Sequence, residues 1–155
     1  MIKAIIFDLD DTLLWDKKSV ETAFQVTCQL AARKVSIDPS KLEEAVRIKA
    51  SELYASYETY PFTKMIGINP FEGLWGTFDD EGELFQKMKT IVPTYRQEAW
   101  SKGLLRIGID DTELGKQLAD HFPKARKAHP FLYTETLQVL DRLKDHYQRV
   151  LLTNG

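Results

Sequence analysis

The stretch from Lys3 to Leu14 constrains this chain more than any other. Ala4-Ile5-Ile6-Phe7 is a short apolar run, rich in strand formers and followed at once by acids. Such a run predicts a buried strand of a parallel sheet. Asp8, Asp10, Asp11 and Thr12 come directly after it. In open α/β sheets, ligands bind beyond the carboxyl ends of the strands. The acids and the threonine are therefore predicted at the edge where chemistry is done.

Asp8 and Asp10 are two residues apart, and in a continuing strand they would face the same side. Two close carboxylates repel, and one gains a proton unless a cation holds them. Mg²⁺ prefers oxygen ligands and accepts one or two carboxylates together with phosphate oxygens. A carboxylate can attack phosphorus and carry an aspartyl-phosphate. A second acid can protonate the leaving oxygen and then activate water. Asp8 and Asp10 suit these roles in that order, and Thr12 offers a hydroxyl.

Phe7-Asp8-Leu9-Asp10-Asp11-Thr12 resembles the first motif of the haloacid-dehalogenase-like (HAD) hydrolases, a strand ending in Asp-x-Asp-x-Thr. The resemblance implies Asp8 as nucleophile and Asp10 as acid/base, with Asp8 and the backbone carbonyl of Asp10 on Mg²⁺ and the backbone after Asp8, at Leu9, on phosphate. Thr12 would support the turn. Dehalogenases of the family lack an acid at the second Asp, so the resemblance at Asp10 implies phosphoester hydrolysis.

The chain has 155 residues, enough for one domain with an insertion. Its net charge of −2 gives no case for a nucleic-acid footprint. No apolar run approaches a membrane span, and Lys3 is followed by only four apolar residues before the acids, unlike a signal peptide. The lone cysteine, Cys28, rules out an internal disulfide and implies a reducing, cytoplasmic setting. Its helical surroundings predict a small core residue.

Beyond Trp15 the apolar spacing becomes helical. Val20, Ala23, Phe24, Thr27, Leu30 and Ala31 form one stripe. Asp38-Pro39 is a start signal for a second helix, carrying Leu42, Val46, Ala50 and Tyr54. Pro61, Gly67, Pro70, Gly73 and Gly76 break the next stretch, leaving one helical turn around Phe71 to Trp75. A third helix is expected from Glu83, kinked or ended by Pro93 and stopped at Gly103. Asp110-Asp111-Thr112 echoes the opening motif without a preceding strand, so it reads as a helix N-cap, with the helix ending near Pro123. Lys124-Ala125-Arg126-Lys127 reads as a solvated helix end, and His121, His129 and His146 as surface histidines. Trp15, Trp75 and Trp100 are expected to pack in the core, with the lining of a substrate pocket as the alternative.

Thr134 is expected to cap a last helix, and Arg149 to Leu152 to form a second strand. A right-handed crossover would set it parallel to the first and bring Thr153 beside Asp8. Leu152-Thr153-Asn154-Gly155 is similar to the second HAD motif, which implies that Thr153 and Asn154 bind phosphate. The expected fold is α/β: a partial Rossmann-like HAD core, a parallel sheet, from residues 1–14 and 103–155, with an all-helical cap at 15–102. The family's third and fourth motifs, a Lys or Arg and an acidic pair, would lie past Gly155. The resemblance thus implies the N-terminal piece of a Mg²⁺-dependent phosphohydrolase acting on a small phosphorylated metabolite. That piece is expected to be inactive alone and to self-associate through an unfinished sheet edge. The rival reading is a non-catalytic binding protein that keeps half of such a scaffold.

Overall fold

In a computed structural model, residues 2–153 are described. Strand β1 (Ala4–Asp8) is followed by helices α1 (Asp16–Ala32), α2 (Pro39–Ser56) and α3 (Tyr60–Met65), and by a 3-10 turn at Glu72–Leu74. Helices α4 (Glu83–Arg106), α5 (Thr112–Ala128) and α6 (Thr136–Leu143) then lead to strand β2 (Gln148–Leu152). The fold is mixed α/β and mostly helical, with a small parallel sheet.

The start signals act as expected. Asp38 accepts a 2.9 Å bond from Ser40 N with Pro39 in the first turn of α2. Asp111 accepts a 2.8 Å bond from Leu114 N at the head of α5. These carboxylates satisfy amides that a helix end leaves without partners.

Helix α4 packs between α2 on one side and α5 on the other, with α1 against both α2 and α5. Trp100, Tyr95, Phe24 and Phe122 are fully buried between these helices. Phe24, Trp100 and Phe122 form a tilted aromatic cluster with centroids 4.6–6.0 Å apart. Cys28 is buried in the same core, and burial pushes its thiol up to about 12.

Two expected helix breaks do not occur. Pro93 lies inside a continuous α4, on the solvent side, where the carbonyl that loses its partner can meet water. Gly103 is also inside α4 rather than at its end. A Cβ there would come within 2.5 Å of Val46 Cγ2, so α4 and α2 approach each other closely at this glycine. Helix α5 likewise runs past Pro123, because Ala125 and Arg126 still make tertiary contacts beyond it. Thr134 does not cap α6. The helix starts at Thr136, whose hydroxyl is drawn to the carbonyl of Leu13 at 2.9 Å.

The expected boundary after residue 102 falls within α4, and α5 packs on α1 and α4, with the helical layer. This layer is joined to the segments that flank the strands around Trp15. Trp15 N donates to Phe131 O at 2.9 Å, and Leu14 bridges Leu132. The Trp15 and Tyr133 rings stack at 5.4 Å, with Lys18 Nζ over both Trp15 and Phe131.

Strands β1 and β2 pair in parallel, with Ala4 opposite Gln148 and Asp8 opposite Leu152. The expectation that the first strand is buried is not met, since Ile6 is 64% exposed, and β2 is exposed as well, Leu152 at 65%. Among the described residues the sheet has two strands, too few to be covered on both faces. None of the described helices is long and apolar enough to cross a membrane.

Candidate active site

The register of the sheet decides where the site lies. Because Asp8 pairs with Leu152, the chain leaves both strands at the same end, and Thr153 follows there. After Asp8 the backbone folds into a tight turn around the carbonyl of Leu9, which accepts from Leu13 N and Leu14 N, both at 2.9 Å. Asp11 takes a left-handed conformation in this turn, φ +53°, a region that Asp tolerates better than most residues. Its carboxylate accepts from Lys17 N at 3.0 Å and so ties the turn to the start of α1. Thr12 Oγ1 donates to Asp8 Oδ2 at 3.2 Å, which restrains the carboxylate.

A cavity of about 480 Å³ opens at this edge. Asp8, Leu9, Asp10 and Thr153 line it from the sheet side. The helical layer contributes Asn69, Glu72 and Trp75 from the 3-10 region, Asp16 from α1, and Arg126 from the last turn of α5. The turn and Thr12 thus bring Asp8, Leu9, Asp10 and Thr153 to one cavity. Asn154 lies outside the described residues.

The charges in the cavity are unbalanced. Asp8, Asp10, Asp11, Asp16 and Glu72 all line it, against Arg126 as the one cation among the described lining residues. Partial desolvation raises the Asp10 carboxyl above the ordinary range. Asp16, Asp8 and Asp11 push it the same way, and Arg126 opposes them. Burial also raises Glu72, assisted by Asp16 and Asp10. Its Oε1 is meanwhile fixed by Asn69 N at 2.9 Å and Asn69 Nδ2 at 2.6 Å.

Asp8 and Asp10 offer hard oxygen donors, which fit Mg²⁺ when water and phosphate oxygens complete the shell. Among the described residues, no three His, Cys, Asp or Glu side chains gather as a ready-made ligand set.

Arg126 corrects the reading of residues 124–127 as a solvated end. It pairs with Asp16 and is only 19% exposed. A signal was present in the sequence: Ala119, Phe122 and Arg126 follow at three and four residues, so Arg126 lies on the buried face of α5. Trp75 is half-buried beneath it, 5.3 Å from ring centroid to guanidinium carbon. Of the other tryptophans, Trp100 is core and Trp15 is 39% exposed. His121 is half-buried, its Nδ1 3.0 Å from Thr27 Oγ1. Glu72 and Asn69 carried no signal, since only the tertiary fold brings residues 69–72 to the sheet edge.

No protein-family model matches the chain, and no curated protein matches it. Among solved structures, the chain is similar to the crystal structure of a 2-haloacid dehalogenase from Pseudomonas syringae pv. Tomato DC3000. The TM-score is 0.50 at 19% sequence identity, over 100% of this chain and 56% of that one. The chain spans a little over half the length of that protein, and the likeness is one of fold.

Proposed function

We propose that this sequence belongs to a Mg²⁺-dependent phosphomonoester hydrolase that works through an aspartyl-phosphate on Asp8. The observation that carries the reading is the meeting of Asp8 and Asp10 with Thr153 at one sheet edge, with Thr12 bracing Asp8. The solved neighbour is a dehalogenase, but the likeness is of fold alone, and fold does not name a reaction. Asp10 supports phosphoester chemistry, because the resemblance ties an acid at this position to phosphatases.

In this reading Asp8 attacks phosphorus, and the leaving alkoxide takes a proton from Asp10. Asp10, now a carboxylate, takes a proton from water, which attacks phosphorus and releases phosphate from Asp8. The upward shift of the Asp10 carboxyl is in the direction that a proton donor needs. The Asp8 carboxylate and the backbone carbonyl of Asp10 would hold Mg²⁺, which lowers the repulsion between the phosphoryl oxygens and these acids. Thr153, and Asn154 beyond the described residues, would hold phosphoryl oxygens. The helical layer would close the cavity against water. The substrate would be a small phosphorylated metabolite, and the buried free thiol of Cys28 is in keeping with a cytoplasmic setting.

The test is release of p-nitrophenol from p-nitrophenyl phosphate by a protein carrying this sequence, with Mg²⁺ present. Asp8→Asn should abolish turnover, and Asp10→Asn should lower it by roughly 10²–10⁴-fold. Wild-type turnover in Asp8→Asn would remove Asp8 as nucleophile.

A further inference from the structure

Arg126 reaches the cavity from the last turn of α5, and three observations describe how it is held. One guanidinium nitrogen, Nη2, pairs with Asp16 Oδ1. The guanidinium lies over Trp75, which limits how the fork can turn. Nε is buried and has no hydrogen-bond partner among the described residues.

A guanidinium carries five N–H donors in a rigid fork that matches two oxygens of one anion. A buried donor without a partner is costly to keep, and a single contact to one Asp16 oxygen leaves the fork partly used. The surroundings sharpen the point. A cavity with five carboxylates repels an anionic substrate, and Arg126 is the one lining cation among the described residues to oppose this. An arginine there for structure alone would be expected to pair bidentately with Asp16 and to satisfy Nε.

From this geometry we infer that Arg126 is the anion-binding residue of the site. In this assignment its guanidinium exchanges Asp16 for the phosphoryl oxygens of the substrate, while Trp75 holds the plane. The inference rests on the phosphohydrolase reading and adds a residue to it. Asp16 then acts as a placeholder that keeps the guanidinium in the cavity when no anion is bound, and it competes with the anion for Arg126.

The experiment is titration of this chain with inorganic phosphate in the presence of Mg²⁺, followed by calorimetry. Arg126→Met should weaken phosphate binding by about 10- to 100-fold, the range for a lost charge-assisted bond. Arg126→Lys should fall between, because it keeps the charge without the fork. Asp16→Asn should tighten binding, and that gain should vanish in the Arg126→Met background, because it acts through Arg126. If Arg126→Met alone does not fold, the neutral pair Asp16→Asn/Arg126→Met carries the comparison with Asp16→Asn.

Equal phosphate affinity in folded Arg126→Met and wild type overturns the inference. So does an Asp16→Asn gain that persists without Arg126, or a wild-type chain that does not bind phosphate. The two readings fail separately. Asp8→Asn that keeps wild-type turnover removes the hydrolase mechanism. Asp8-dependent turnover with an Arg126→Met that binds phosphate normally removes only the role of Arg126.

Discussion

The close approach of α4 to α2 at Gly103 sets two known effects against each other. Gly103→Ala should gain about 1 kcal/mol from helix propensity, since glycine is the poorer helix former. It also puts a methyl where there is no room. The new Cβ would lie 2.5 Å from Val46 Cγ2, 3.0 Å from Val46 Cα and 3.1 Å from Val46 N. Val46 could turn its methyl away, but the other two atoms are backbone and move only if the helices separate. Overpacking of this kind costs about 1–3 kcal/mol, and the backbone contacts argue for the upper half of that range. The net expectation is a loss of about 1–2 kcal/mol, or about 2–8 °C in Tm for a chain of this size. Urea unfolding followed by circular dichroism measures it. Val46→Ala in the Gly103→Ala background should recover little, because the backbone contacts remain. A Gly103→Ala variant more stable than wild type by about 1 kcal/mol would refute the packing argument.

Two further outcomes are expected. The folded chain holds Glu72 and Asp10 above the usual carboxylate range, so it keeps protons there that the unfolded chain releases. Their contribution is complete below the ordinary carboxylate pKa and is lost as pH rises through the raised values. Glu72→Gln should therefore flatten the fall in stability over that window in urea titrations at stepped pH, and an unchanged slope would count against the burial described for Glu72. Separately, the exposed apolar sheet, with Ile6, Leu151 and Leu152 in water, should drive concentration-dependent association. Light scattering should report it and Leu151→Lys should reduce it, whereas a wild-type monomer at high concentration would contradict this.

What the sequence made legible followed from local rules. The first strand, the two Asp N-caps and the helical stripes of α1 and α2 each depend on residues within a few positions of one another. Thr153 could be placed beside Asp8 because a strand–helix–strand crossover has a fixed hand. The misses are long-range. Pro93 and Gly103 signal helix ends locally, but contacts on both sides of α4 hold the helix through them. Arg126 sits in a run of cations that looks solvated, and its inward turn depends on Asp16, 110 residues away in sequence. Glu72 and Asn69 enter the site from a loop whose position no periodicity encodes. The apolar content of the first strand predicts burial, but burial depends on what lies above and below a sheet, which a strand's own sequence does not state.

The tie between Trp15 and Phe131 also bears on how the chain folds. The two strands that carry Asp8 and Thr153 are separated by roughly 140 residues, and closing so long a flexible loop costs about 4 kcal/mol in entropy. Their few backbone bonds, largely open to water, are poorly placed to meet that cost early. Once α1, α2, α4 and α5 have packed, the ends of the helical layer already lie side by side, and only short connections separate β1 from β2. The helices should therefore form first and the sheet last. Amide exchange should show the same order in reverse, with Ile6 and Leu151 opening well before Trp100 and Phe122. The sheet edge that holds Asp8 and Thr153 would then be the last part of the molecule to assemble and the first to come apart.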